Sequence, residues 1–290
     1  MSAYSLSQAY SYCQKLAQSH YENFPVASRL LPQESRASVA VIYAFARQAD
    51  DFADEGERSE AERLALLQEY ADKLSAISRG APQQDPVFIA LDDVIRRHQL
   101  PLQLFHDLLS AFRQDVTKRR YRNFDEVLDY CRRSANPVGR LMLHLHGEAS
   151  EEKLRLSDKV CSALQLINFY QDLEQDAREN DRIYLPQDEM ARLGVSETDL
   201  ANARHSSELV QLLALQRART LTMMHQGACL GSLLGGRFGL EIRLIIEGGL
   251  RVLELLCAHS ATPFARPRLR KSDYLVIGWR ALHKQRHQRQ

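Results

Sequence analysis

Apolar residues recur along this chain at three- and four-residue spacing, with few β-branched runs, a pattern that predicts helices and almost no strands. SRASVAVIYAFARQADDFADE (35–55) is one such segment, and Pro32 ahead of it suits a helix start. SEAERLALLQEYADKLSAISRG (59–80) reads as an amphipathic helix closed by Gly80. DPVFIALDDVIRRHQL (85–100) has Pro86 early and Pro101 past its end. PLQLFHDLLSAFRQDVTKRRY (101–121), NFDEVLDYCRRSANPVGRLMLHLHGEA (123–149) and EEKLRLSDKVCSALQLINFYQDLEQDARE (151–179) continue the pattern. Ser206–His225 and Leu240–His259 follow. The breaks at 78–86, 179–189 and 261–271 are too short and too mixed in composition to be domain linkers. The expectation is a single all-α domain over residues 1–290, a bundle of about eight to twelve helices, with a basic tail at about 280–290 that frays.

Composition narrows the function. The chain is 44% hydrophobic with a formal net charge of only +1, which argues against a nucleic-acid binder that needs a basic stripe. Five widely spaced cysteines without a CxxC pair read as buried thiols in a reducing compartment. The N-terminus lacks the basic and apolar regions of a signal peptide. The longest uncharged run, Thr220 to Gly236, falls short of the roughly 20 apolar residues that span a bilayer. A soluble cytoplasmic protein is expected.

One stretch departs from the apolar pattern. FARQADDFADE (45–55) places an arginine and four acids in a helix otherwise rich in Val39, Ile42, Ala46 and Ala49. At about 100° per residue, and with Asp50 at zero, Tyr43, Asp54 and Arg47 fall near 20°, 40° and 60°. Asp51 and Glu55, near 100° and 140°, lie off this stripe. The segment fits a surface helix whose Arg47 pairs with Asp50 or Asp51. It also fits a metal site, because short, stiff Asp is a poorer helix former than Glu but suits holding a small ion.

A second stripe shifts that balance. In ALQLINFYQDLEQDARENDRIYLP (163–186), Gln165, Asn168, Asp172 and Asp176 follow at i, i+3, i+7 and i+11, within about 80° of one another. A core-facing stripe should be apolar, whereas this one carries only amide and carboxylate oxygens. Two such stripes facing one another would bring four aspartates together, an arrangement that requires cations. Mg²⁺, a hard ion usually held by one or two carboxylates plus substrate phosphates, is the natural one.

DDFAD (50–54) paired with DLEQD (172–176) resembles the two DxxxD motifs of the squalene/phytoene synthase family. LLPQESRASVAVIYAFARQADDFADE (30–55) and QLINFYQDLEQDARENDRIYLP (165–186) are similar to its two signatures, and the resemblance extends over nearly the whole chain. It implies an isoprenoid-synthase-type helical bundle around a central apolar cavity, acting on prenyl diphosphates. It further implies that Asp50, Asp54, Asp172 and Asp176 hold Mg²⁺. Three ions with a diphosphate of about −3 would bring those four carboxylates and Arg47 close to neutrality. Tyr43, Arg47, Gln165, Asn168 and Tyr130 would contact the substrate or metal-bound water.

Three departures point within the family. HYENFPVAS (20–28) replaces its serine-rich start, YCRRSANPVG (130–139) its AGTVG-like pattern, and Gln171 the arginine usual before the second motif. Together they resemble the hydroxysqualene synthases of bacterial hopanoid biosynthesis, which release diphosphate from presqualene diphosphate and capture the rearranged cation with water. Phe24, Phe45, Leu141, Leu145, Leu164 and Ile167 would then line the apolar cavity, and Asn136, Gln171 or Asn23 would place the water. Partners would be a presqualene diphosphate synthase and an oxidoreductase that consumes hydroxysqualene. The rivals are head-to-head condensation to presqualene diphosphate or phytoene, and a non-catalytic prenyl-diphosphate-binding subunit. No GxGxxG fingerprint occurs, so no nicotinamide cofactor is expected.

Other features have plainer readings. His144 and His146 lie about 200° apart on a helix and cannot chelate one ion there. Lys118, Arg119 and Arg120 span most of a turn and read as a solvated helix end, while Arg132 and Arg133 beside Tyr130 are open to a substrate role. Gly227, Gly231 and Gly235 form a stripe that would let two helices approach closely. The tail WRALHKQRHQRQ (279–290) is basic, and weak contact with the inner, anionic face of a membrane is the alternative to simple fraying.

Overall fold

The computed structural model describes residues 4–19, 33–260 and 262–283. Among them are fifteen helices and two short strands: α1 (Leu6–Ser19), α2 (Gln33–Asp54), α3 (Glu60–Ser78), α4 (Pro86–His98), α5 (Leu102–Thr117), β1 (Arg120–Tyr121), α6 (Phe124–Ser134), α7 (Asn136–Leu145), α8 (Glu151–Gln171), α9 (Leu173–Glu179), β2 (Ile183–Pro186), α10 (Gln187–Leu193), α11 (Glu197–Ala201), α12 (Ser207–Gly227), α13 (Leu230–Leu233), α14 (Gly236–Ala258) and α15 (Lys271–His283). The all-α expectation holds. The helices beyond the expected range include α9, α10, α11 and α13, each of seven residues or fewer.

The chain divides into two compact units, one of residues 1–117 and 137–150, the other of 118–136 and 151–290. In the first, α1 packs on α2 and α4, and α3 packs on α5. Its core is aromatic at the centre: the Phe45 ring lies 5.1 Å from Tyr70, 5.3 Å from Phe105 and 6.0 Å from Phe88. The Tyr70 hydroxyl donates to Gln48 Oε1 at 3.0 Å, so the one polar atom this ring buries is satisfied. Ser59 caps α3, accepting from the Glu62 N–H while the Glu62 carboxylate accepts from the Ser59 N–H, a reciprocal capping box. Asp85 caps α4 in front of Pro86.

In the second unit α8 is the central element, packed on α12, α14, α6 and α13. Gly227 makes the α8–α12 approach possible. A Cβ there would lie 2.7 Å from Val160 Cγ2 and 2.8 Å from the Leu156 carbonyl oxygen. The glycine stripe itself does not run along one helix. Gly227 ends α12, Gly231 lies in α13 against Arg243, and Gly235 precedes α14.

Two sequence expectations need correction. The helix read through 123–149 is broken at Ala135 into α6 and α7. The cations at 118–120, read as a solvated helix end, instead follow the end of α5 at Thr117 and run into β1, which pairs in parallel with β2, Arg120 opposite Ile183. These cations are occupied: Arg119 donates to the Asn180 carbonyl at 3.0 Å, Arg120 pairs with Asp181 at 2.7 Å and Glu197 at 2.8 Å, and Lys118 pairs with Glu126 at 2.8 Å. The last turn of α15 extends to His283, and residues 284–290 of the expected basic tail lie outside the described residues. So do Asn23, Phe24 and the rest of HYENFPVAS.

Candidate active site

The first acidic set lies at the C-terminal end of α2, where the helix presents unsatisfied carbonyls and a partial negative charge. Asp50, Asp51 and Asp54 all fall there, and the last turn holds no basic residue. Arg63 of α3 offsets this from outside the helix. Its guanidinium donates to the carbonyl oxygens of Ala53 at 2.7 Å and Gly56 at 2.8 Å, and more weakly to those of Phe52 and Glu55. Sequence reasoning missed Arg63, because nothing local in the chain marks a side chain that caps a neighbouring helix.

Arg47 is three-quarters shielded and pairs with Asp51 at 2.7 Å, with Asp50 at 3.3 Å, and with Glu55. Partial burial works against its charge, but the carboxylates of Asp51, Asp50 and Glu55 outweigh it and raise its pKa. The sharp separation of Asp51 and Glu55 from the stripe is therefore corrected. A long arginine side chain bends across the roughly 40–80° between them, which Cβ directions alone do not show. The surface ion-pair arrangement and the stripe coexist. Asp50 is 41% exposed and Asp54 is exposed, both open to a ligand, while Tyr43 is half-buried against the core.

The second set lies where α8 gives way to α9. The single helix expected through 151–179 bends at Asp172, whose ψ of 16° opens the backbone. The flanking hydrogen bonds persist, from the Asp172 N–H to the Asn168 carbonyl at 3.0 Å and from the Asp176 N–H to the Asp172 carbonyl at 2.8 Å. Asp172 is half-buried and bridged by Arg266, Nε to Oδ1 at 2.8 Å and Nη2 to Oδ2 at 3.3 Å, a two-pronged pair. Burial raises the pKa of Asp172, and Arg266 opposes that shift. Beside the pair lies an open pocket of about 450 Å³ whose lining includes Gln171, Glu174, Arg178 and Phe264. Asn168 is exposed, and Gln165 and Asp176 are partly so.

Arg266 is the second residue that sequence reasoning missed. It stands 94 positions from Asp172 in a Pro-rich break, with no periodicity to flag it. Gln171 donates to the Pro267 carbonyl at 3.2 Å, so this break lies along the end of α8.

Other candidates have different surroundings. Tyr130 is buried among Tyr121, Phe169 and Tyr184, its ring 5.7–6.0 Å from theirs, with Phe169 and Tyr184 stacked at 3.7 Å. Asn136 is 6% exposed and accepts from the Ser162 hydroxyl at 2.9 Å. Phe45 and Leu141, expected to line a cavity, are fully buried in the packed core of the first unit. Arg132 and Arg133 both pair with Asp129. His146 bonds the Met142 carbonyl through Nδ1 at 2.8 Å.

Among the described residues no group of three or more His, Cys, Asp or Glu side chains stands ready to hold a metal. Asp50 and Asp54 present exposed hard oxygen donors of the kind Mg²⁺ takes together with water and phosphate, whereas Asp172 is occupied by Arg266.

The model of squalene/phytoene synthase matches residues 17–274, nearly the whole chain. A hydroxysqualene synthase of Zymomonas mobilis subsp. mobilis is 37% identical over 82% of this chain and 80% of its own length. A phytoene synthase of Mycobacterium tuberculosis is 36% identical over 66% of this chain and 61% of its own. Among solved structures, squalene synthase HpnC from Alicyclobacillus acidocaldarius superposes with a TM-score of 0.83 at 34% identity, covering 89% of this chain and 97% of that one. With a family model spanning both acidic sets and a structural match over 89% of its length, the chain belongs to the squalene/phytoene synthase family.

Proposed function

We propose that this chain is a Mg²⁺-dependent hydroxysqualene synthase, converting presqualene diphosphate and water to hydroxysqualene and diphosphate. The observation that carries the reading is the 37% identity to a hydroxysqualene synthase across 82% of the chain. The acid sets of α2 and of the α8–α9 bend support it, together with Gln171 where the condensing branches resemble one another in having arginine.

In this reading Asp50, Asp54, Asp172 and Asp176 hold Mg²⁺, which supplies Lewis-acid stabilisation of the charge that develops on the departing diphosphate. Arg47, already surrounded by carboxylates, adds a fixed positive charge, and Arg266 does the same beside Asp172. Tyr43, Gln165 and Asn168 orient the diphosphate and its water. Cleavage of the C–O bond leaves a carbocation, which rearranges and is attacked by a water oxygen; the water's proton is then lost. Gln171 and Asn136 remain the candidates to place that water, Asn136 accepting from the Ser162 hydroxyl. A presqualene diphosphate synthase would supply the substrate, and an oxidoreductase would consume the product.

The second reading, head-to-head condensation, is favoured by the 36% identity to a phytoene synthase. The discriminating experiment incubates purified protein and Mg²⁺ separately with presqualene diphosphate, farnesyl diphosphate and geranylgeranyl diphosphate, and identifies the extracted lipids by mass spectrometry. Hydroxysqualene from the first substrate alone is expected. Presqualene diphosphate from the second, or phytoene from the third, overturns the reading. Chelation by EDTA should stop turnover and added Mg²⁺ restore it.

A further inference from the structure

Charge is unevenly distributed along this chain. The last 26 residues, from Ala265, hold eight lysines and arginines against the single acid Asp273, while the remainder carries 30 basic and 36 acidic residues. The net charge of +1 thus conceals a strongly cationic C-terminal segment on an acidic body. Asp273 does not dilute it, since it is 4% exposed and bound to Arg251 at 2.8 Å and to the Arg270 N–H at 2.6 Å.

Within this segment α15 has two opposed faces. Asp273, Ile277 and Ala281 are buried, and the helix is fixed to α14 by Arg251–Asp273, by Arg280–Glu254 at 2.5 Å and by Arg243 Nε donating to the Ala281 carbonyl at 2.9 Å. On the opposite side Leu275, Trp279 and Leu282 share an arc of about 60°. They are 77%, 63% and 61% exposed, and Tyr274, also 61% exposed, lies about 80° outside this arc. Large apolar side chains rarely stand so open in a row on a soluble surface unless something covers them.

We propose that α15 lies in the plane of an anionic bilayer surface, with Leu275, Trp279 and Leu282 entering the headgroup–acyl boundary. Exposed Arg268, Arg270 and Lys271, at and just ahead of the start of α15, pair with lipid headgroups. Tryptophan and tyrosine favour this boundary, and an apolar arc bounded by cations is the pattern of helices that lie on membranes. No helix of the described residues is long and apolar enough to cross one, so the contact is interfacial. A second copy of this chain fits the face less well, because Arg268, Arg270 and Lys271 of each copy would bring like charge to the contact. The inference does not depend on which prenyl diphosphate is turned over.

Trp279 is the chain's one tryptophan, so its fluorescence reports on this face alone. The full-length protein is mixed with vesicles of phosphatidylcholine, or of phosphatidylcholine with about 30% phosphatidylglycerol. Emission should shift to the blue, and protein should sediment, with the anionic vesicles and much less with the neutral ones. Arg268→Ala/Arg270→Ala/Lys271→Ala should weaken partitioning about five-fold per basic residue removed. Leu275→Ser/Trp279→Ser/Leu282→Ser should weaken it on the order of a hundredfold, with unchanged circular dichroism because these side chains are exposed. Unshifted emission with all protein in the supernatant overturns the proposal. So does wild-type binding by the triple serine variant, equal binding to both vesicle types, or self-association through this face without vesicle binding.

Discussion

Asp50, Asp51 and Asp54 differ in what they already hold. Asp51 is tied to Arg47 at 2.7 Å, Asp50 is held more loosely at 3.3 Å, and Asp54 is exposed at the end of α2. Asp50→Ala and Asp54→Ala should each lower turnover of presqualene diphosphate about 10²–10³-fold, with an unchanged helical circular dichroism spectrum. Asp51→Ala should cost less than tenfold, because it removes an ion pair at a partly exposed site. Equal losses in all three would remove the assignment of Asp50 and Asp54 to the metal. At this scale the sequence was informative about which acids share a face, since side-chain direction follows from helical rotation. It was silent about Arg63 and Arg266, whose contacts depend on chain segments brought together only by folding.

Among the elements, the close approach of α12 to α8 depends on Gly227, whereas Gly249 of α14 meets only side-chain tips, Leu164 Cδ2 and Met224 Cε, both at 2.8 Å. Gly227→Ala meets the Leu156 carbonyl oxygen, which cannot yield without moving α8. It should destabilise by about 1–3 kcal/mol in urea denaturation, the usual cost of overpacking. Gly249→Ala should cost distinctly less, because Leu164 and Met224 can change rotamer. A reversed order would show that α8 moves more easily than those side chains.

The junction of β1 and α6 makes a prediction in pH. Lys118, the Arg122 N–H and the Arg122 guanidinium all donate to Glu126 and hold its pKa at about 2, below its ordinary 4.5. A carboxyl depressed on folding stabilises the native state above its unfolded pKa. That contribution is lost as pH falls from 4.5 toward 2. Melting temperature should therefore decline across this window, and Glu126→Gln should flatten that part of the profile. The junction was not legible beforehand, because a two-residue strand has too few positions for a period to show.

For the whole molecule, five thiols divide by environment rather than forming one buried class. Cys13 and Cys131 are buried, and burial pushes both up to about 12; Cys161 and Cys229 are partly covered, and Cys257 is exposed. Alkylation at about pH 8 should modify Cys257 first and reach Cys13 and Cys131 only after unfolding, as peptide mass mapping would show. Early labelling of Cys131 would mean that the second unit opens readily.

By itself the sequence determined the all-α class, because helical periodicity is a local property of the chain, and it named the two acidic stripes as candidates. Tertiary structure alone decided how those acids are held: Arg63 capping α2, Arg266 drawn onto Asp172 from 94 residues away, and α9 bent from α8 at that aspartate. It also decided that the basic end of the chain carries an open apolar face on α15. Period sets which residues share a side of a helix, but only packing settles which side is covered.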